Sequence, residues 1–112
     1  MQMRRGLWMA VAAVAALPAL ALADDAKVDK GRELFTAQKC TLCHSIASKG
    51  NAKGSLDNVG AKLTPAEIKQ WLTDPATMAA KAKAERKPPM KIKPMKAEEI
   101  DALVAYLSTL KK

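Results

Sequence analysis

Aromatic side chains are scarce in this chain, which has two tryptophans, one tyrosine and one phenylalanine in 112 residues. A chain of this length holds one domain, and with so few bulky groups it would bury a weak core unaided. Cysteine is nearly missing too. Cys40 and Cys43 are the only two, and a disulfide between neighbours this close would staple almost nothing, so a disulfide scaffold is excluded. His44 is the only histidine, which rules out any site needing two imidazoles from one chain. A structural zinc site, with its four ligands, lacks the donors. No alternating set of strands and helices can be read, so a thioredoxin-like setting for the cysteine pair is absent.

Acidic groups are in deficit. Lys and Arg number 19 against 11 Asp and Glu, a formal net charge of +8. Arg4 and Arg5 open a positive n-region, Leu7 to Ala16 is an apolar run ending near Pro18, and Ala21-Leu22-Ala23 supplies a small–x–small cleavage pattern. The run is short of the about 20 apolar residues that span a bilayer. Residues 1–23 are therefore expected to be a cleaved export signal and residues 24–112 the domain, with the uncleaved anchor as the alternative. The domain stays basic after cleavage, which suits an acidic docking partner or an anionic membrane surface. Nucleic acid is a poor partner for an exported protein.

What is present is Cys40-Thr41-Leu42-Cys43-His44. This C-x-x-C-H string is the attachment signature for covalent haem. The paired thiols reach the two vinyl groups of one porphyrin, and the adjacent imidazole meets the iron from the same side. A macrocycle at the centre would also make good the shortage of bulky core residues.

Around the motif the pattern is helical. Val28, Gly31, Leu34, Phe35 and Leu42 recur at three- and four-residue steps, predicting a helix from Val28 to about Cys40. Ser45 to Ser55 is loop composition, expected to wrap one edge of the haem with Ile46, Leu56 and Val59 inward. Thr64-Pro65-Ala66-Glu67 is a capping box opening a helix with Ile68, Trp71 and Leu72 on one face, which stops at Asp74-Pro75. The indole of Trp71 is expected either to meet a haem propionate or to pack in the core. From Pro75 to Lys96 regular structure fades, with a helical turn or two over Ala76 to Lys83. The last helix carries Ile100, Leu103, Val104, Leu107 and Leu110 as a stripe, has no cap residue before it, and has Lys111 and Lys112 at its end.

With one histidine, a sixth iron ligand must be a methionine, a lysine or nothing. Met78, Met90 and Met95 are the methionines beyond the export signal. A thioether is soft and favours reduced iron, as an electron carrier needs. Met90 lies in an extended Pro-Pro-Met segment and is the preferred ligand. Met95 stands where a hydrophobic staple would, and Met78 sits close to the preceding helix as a packing residue. Lysine is a minor choice, because a neutral amine is hard to hold at pH 7. The segment is also basic, with Lys81, Lys83, Arg86, Lys87, Lys91, Lys93 and Lys96 against Glu85 alone.

The whole domain resembles the class I c-type cytochromes, small monohaem electron carriers. The likeness rests on Gly31-x-x-Leu34-Phe35, the C-x-x-C-H string, Leu56-Asp57-Asn58-Val59-Gly60, Trp71-Leu72-Thr73-Asp74-Pro75, Pro89-Met90 and Ala102-Leu103-Val104-Ala105-Tyr106-Leu107. It implies an all-α cytochrome c fold, with three to four helices wrapped around one haem c bound through Cys40 and Cys43, and first and last helices crossing near Gly31, Phe35 and Tyr106. It implies haem attachment in the bacterial periplasm. The spacing of the family's distal methionine to its tyrosine-type position matches Met90. The family usually has Gly-Pro in the loop after the motif, its proline carbonyl steadying the proximal histidine; here Gly54-Ser55 stands there, and the partner of His44 is left unassigned.

The function expected is non-enzymatic. A monomeric periplasmic carrier would move single electrons through His44- and Met90-ligated haem between partners such as a reductase and a terminal oxidase, docking acidic proteins near Lys81 to Lys96. A five-coordinate gas-binding or peroxidase-like protein is the alternative, though no distal histidine or arginine arrangement is visible. A haem subunit docked to a membrane oxidase is another.

Overall fold

The computed structural model describes residues 19–112. Five helices are joined by short irregular pieces: α1 (Ala19–Ala37), α2 (Val59–Lys62), α3 (Pro65–Thr73), α4 (Pro75–Lys81) and α5 (Ala97–Ser108). Two 3₁₀ turns, Cys40–Leu42 and Ala52–Gly54, bracket a two-stranded antiparallel hairpin of β1 (Ser45–Ile46) and β2 (Lys49–Gly50). The architecture is all-α, with five helices among the described residues against the three to four predicted. Of the expected export signal, residues 1–18 lie outside the described residues, and Ala19 to Ala23 belong to the start of α1. Among the described residues no helix is long and apolar enough to cross a membrane.

The crossing of α1 and α5 organises the fold. A Cβ added at Gly31 would overlap the Ala102 carbonyl oxygen and lie 2.6 Å from the Tyr106 Cβ. Only glycine allows the two backbones this close. Beside it the rings of Phe35 and Tyr106 meet edge to face, with centroids 6.2 Å apart. Ala102 and Leu103, each 1% exposed, form the centre of the buried face of α5 with Tyr106 and Leu107. That face is rotated from the predicted stripe, because the small Ala102 is what meets Gly31. Ile100, Val104 and Leu110 are only partly buried against it.

α3 lays Ile68 and Leu72 on the same core. Its start is held as predicted: the Thr64 hydroxyl accepts from the Glu67 N–H at 3.2 Å and the Glu67 carboxylate accepts from the Thr64 N–H at 3.0 Å. Asp74-Pro75 does more than stop α3. Pro75 is the first residue of α4, and the Asp74 carboxylate accepts from Thr77 N–H at 3.4 Å.

Several finer expectations are corrected. α1 ends at Ala37, before the motif, and Leu42 is 70% exposed, outside the core stripe assigned to it. Lys39, in the left-handed region at φ 57°, breaks the helix, so the 3.6-residue period cannot continue to Leu42. α5 starts without a side-chain N-cap, as expected, although Glu99 supplies half of a capping box by accepting from the Lys96 N–H at 3.0 Å. Lys111 and Lys112 fall beyond α5, and the Lys112 N–H reaches the Asp57 carbonyl instead. Ile46 packs on the core, but it lines a small cleft with Arg32 and Tyr106 and is absent from the lining of the main cavity.

Candidate functional site

The site is a cavity of about 1110 Å³ bounded by the motif, the loop after it, α3 and the segment between α4 and α5. That is slightly above the usual span of ligand pockets, about 300–1,000 Å³. Leu56, Val59, Ile68, Leu72, Leu103 and Leu107 give it apolar walls. A void this large in a small domain would forfeit packing along its whole lining.

Cys40, Cys43 and His44 are delivered to its wall by the turn after α1. The Leu42 N–H donates to Lys39, the Cys43 N–H to Cys40, and the His44 N–H to Cys40 at 2.9 Å, so the motif winds tightly enough to place all three on the cavity. Asn51, itself on the cavity lining, pins this turn: its Nδ2 donates to the Leu42 carbonyl at 3.1 Å and its backbone N–H to those of Thr41 and His44. Sequence reading passed over Asn51, one polar residue among many in the loop.

Both thiols are free, with Cys40 half-buried and Cys43 exposed. Burial pushes the Cys40 thiol above its ordinary pKa, a hydrogen bond with its backbone opposes this, and neighbouring Cys43 adds to the rise. Burial likewise lowers the pKa of His44, the bond to Gly54 opposes, and Arg86 lowers it further. The ring is thereby held neutral, the form that can ligate a metal. His44 Nδ1 lies 3.0 Å from the Gly54 carbonyl oxygen. A carbonyl only accepts, so Nδ1 carries the proton and the Nε2 lone pair is left free. The partner left unassigned from the sequence is Gly54, one residue ahead of Ser55.

Trp71, Met90 and Met95 line the cavity, whereas Met78 does not. Met90 and Met95 are both partly buried against the core. Among the described residues, the side-chain oxygens of Gln38 and Asn58 are buried without a partner, and both residues line the cavity. Orphaned polar atoms of this kind are costly unless something meets them. Neither was singled out in the sequence. Among the described residues no three His, Cys, Asp or Glu side chains come together to hold a bare metal ion.

An apolar cavity in a helical domain, with two thiols and a neutral imidazole turned onto it, fits a planar covalent cofactor and defines the class: a protein built around one attached haem. The sequence model of the family described as Cytochrome c matches residues 28–111, and the chain belongs to that family. No curated protein and no solved structure matches it. The family is one of haem-based electron transfer, and its haem c is held covalently, here by Cys40 and Cys43.

Proposed function

We propose that the protein is a monomeric periplasmic carrier of single electrons, with His44 and Met90 as the axial ligands, and that it is not an enzyme. One observation carries this reading: Cys40, Cys43, His44 and Met90 line one apolar cavity. Bound there, haem c supplies an iron that changes oxidation state by one electron. His44 is oriented for ligation by its bond to Gly54. Met90 offers a soft thioether that favours the reduced state. Trp71, half-buried on the wall, offers its indole N–H to a propionate. Leu56, Val59 and Leu103 keep water from the centre, which limits the solvent reorganisation that accompanies a change of charge.

The basic run from Lys81 to Lys96 adjoins this cavity, with Lys83, Lys87 and Lys91 on its lining. An acidic partner protein is steered to it by long-range attraction. Export through residues 1–23 would place the protein in the periplasm.

Potentiometric titration of the purified holoprotein tests the carrier reading. A single reversible one-electron wave without peroxide turnover is expected; rapid peroxidase turnover would contradict it.

A further inference from the structure

Gly54 is crowded by a residue from a distant part of the chain. A Cβ added there would overlap Arg86 Nη1 and the Cys43 carbonyl oxygen, and would lie 2.9 Å from His44 Nδ1. The guanidinium therefore reaches into the space that a side chain at position 54 would fill, on the Gly54 side of His44 Nδ1. Arg86 also lines the cavity itself. Lys83 and Lys87 line it too, but of these basic groups only Arg86 supplies one of the three atoms nearest that point.

We propose that Arg86 is a positioning residue for His44, covering the hydrogen bond between His44 Nδ1 and the Gly54 carbonyl and placing a fixed positive charge beside it. The inference rests on His44 being the proximal ligand. Gly54 has no side chain to shelter the bond, and the arginine takes that part from the segment after α4. A guanidinium suits it: flat, permanently charged and weakly hydrated. Sheltering the bond from water strengthens it and fixes the ring. The charge opposes build-up of positive charge on the imidazole side, so it favours the reduced over the oxidised centre.

The test uses the reduced holoprotein and two readouts, solvent exchange of the His44 Nδ1 proton by NMR and the midpoint potential. Arg86→Gln should speed exchange about tenfold or more and lower the potential. Arg86→Lys keeps charge without the flat cover, and should restore the potential while leaving exchange fast. Lys87→Gln removes an equal charge from the cavity rim and should leave exchange within about twofold of wild type. The proposal is overturned if Arg86→Gln leaves exchange within about twofold, even with a shifted potential, since the arginine then acts on a propionate or by distant charge alone. It is equally overturned if Lys87→Gln speeds exchange as much as Arg86→Gln. Failure of the ligation reading shows separately, as wild-type His44 resonances without the large shifts of a haem-bound imidazole.

Discussion

His44 Nδ1 and the Gly54 carbonyl oxygen, 3.0 Å apart, join the haem-attachment turn to the loop that follows it. This bond sets which nitrogen of the ring faces the cavity. Gly54 itself has no room for a side chain, because the backbone carbonyl of Cys43 and the Arg86 guanidinium close in on the same point. The site is thus defined by backbone proximity as much as by the five-residue motif.

The helix crossing gives a stability prediction. Gly31→Ala gains helix propensity of up to about 1 kcal/mol, but its Cβ meets the Ala102 carbonyl, a backbone atom that cannot swing aside. Overpacking of this kind costs about 1–3 kcal/mol, so the clash wins. The denaturant midpoint of the holoprotein should fall; an unchanged or higher midpoint would show that α1 and α5 do not approach so closely.

The capping box at α3 makes stability depend on pH. The Thr64 backbone N–H, and then its hydroxyl, hold the Glu67 carboxyl below the usual glutamate range. A folded-state pKa lowered in this way adds stability above the unfolded pKa. That contribution fades as pH drops from the ordinary glutamate value, about 4.3, through the lower folded one. Glu67→Gln should flatten the acid limb of a stability–pH curve, read by thermal melting, and an identical limb in the variant would refute the link. Because Glu67 is exposed, the change should be small.

Charge reversal tests the docking face. Lys91→Glu with Lys93→Glu should slow low-salt association with an acidic redox partner, and the difference should shrink as salt rises. An unchanged low-salt rate would move the contact elsewhere.

Much of this was legible in the residues. The cofactor motif, the α3 capping box and the Asp74 stop are local signals, each set by chemistry within a few positions, whereas the Gly31 crossing came from the family resemblance. What was missed depends on residues far apart in sequence. Arg86 reaches Gly54 only after the chain has passed through α3 and α4, and no spacing rule connects the two. Ala102 is too small to stand out in an apolar stripe, yet it is buried because Gly31 lies against it. Pro75 is a local exception: read as the end of one helix, it also begins α4, where a helical turn or two was expected over Ala76 to Lys83. Met90 and Met95 both line the cavity and Met78 does not, so the choice of Met90 over Met95 as the proposed thioether ligand rests with experiment.

That choice bears on the central claim, a His44–Met90 centre closed to outside ligands. The most direct measurement is the far-red absorption band that the family shows when a thioether ligates oxidised haem, followed in Met90→Ala and Met95→Ala holoproteins. The account predicts that wild type and Met95→Ala keep the band, while Met90→Ala loses it and its reduced form binds carbon monoxide readily. A band lost with Met95 and kept without Met90 would contradict it, as would a wild-type protein that has no band and binds carbon monoxide freely.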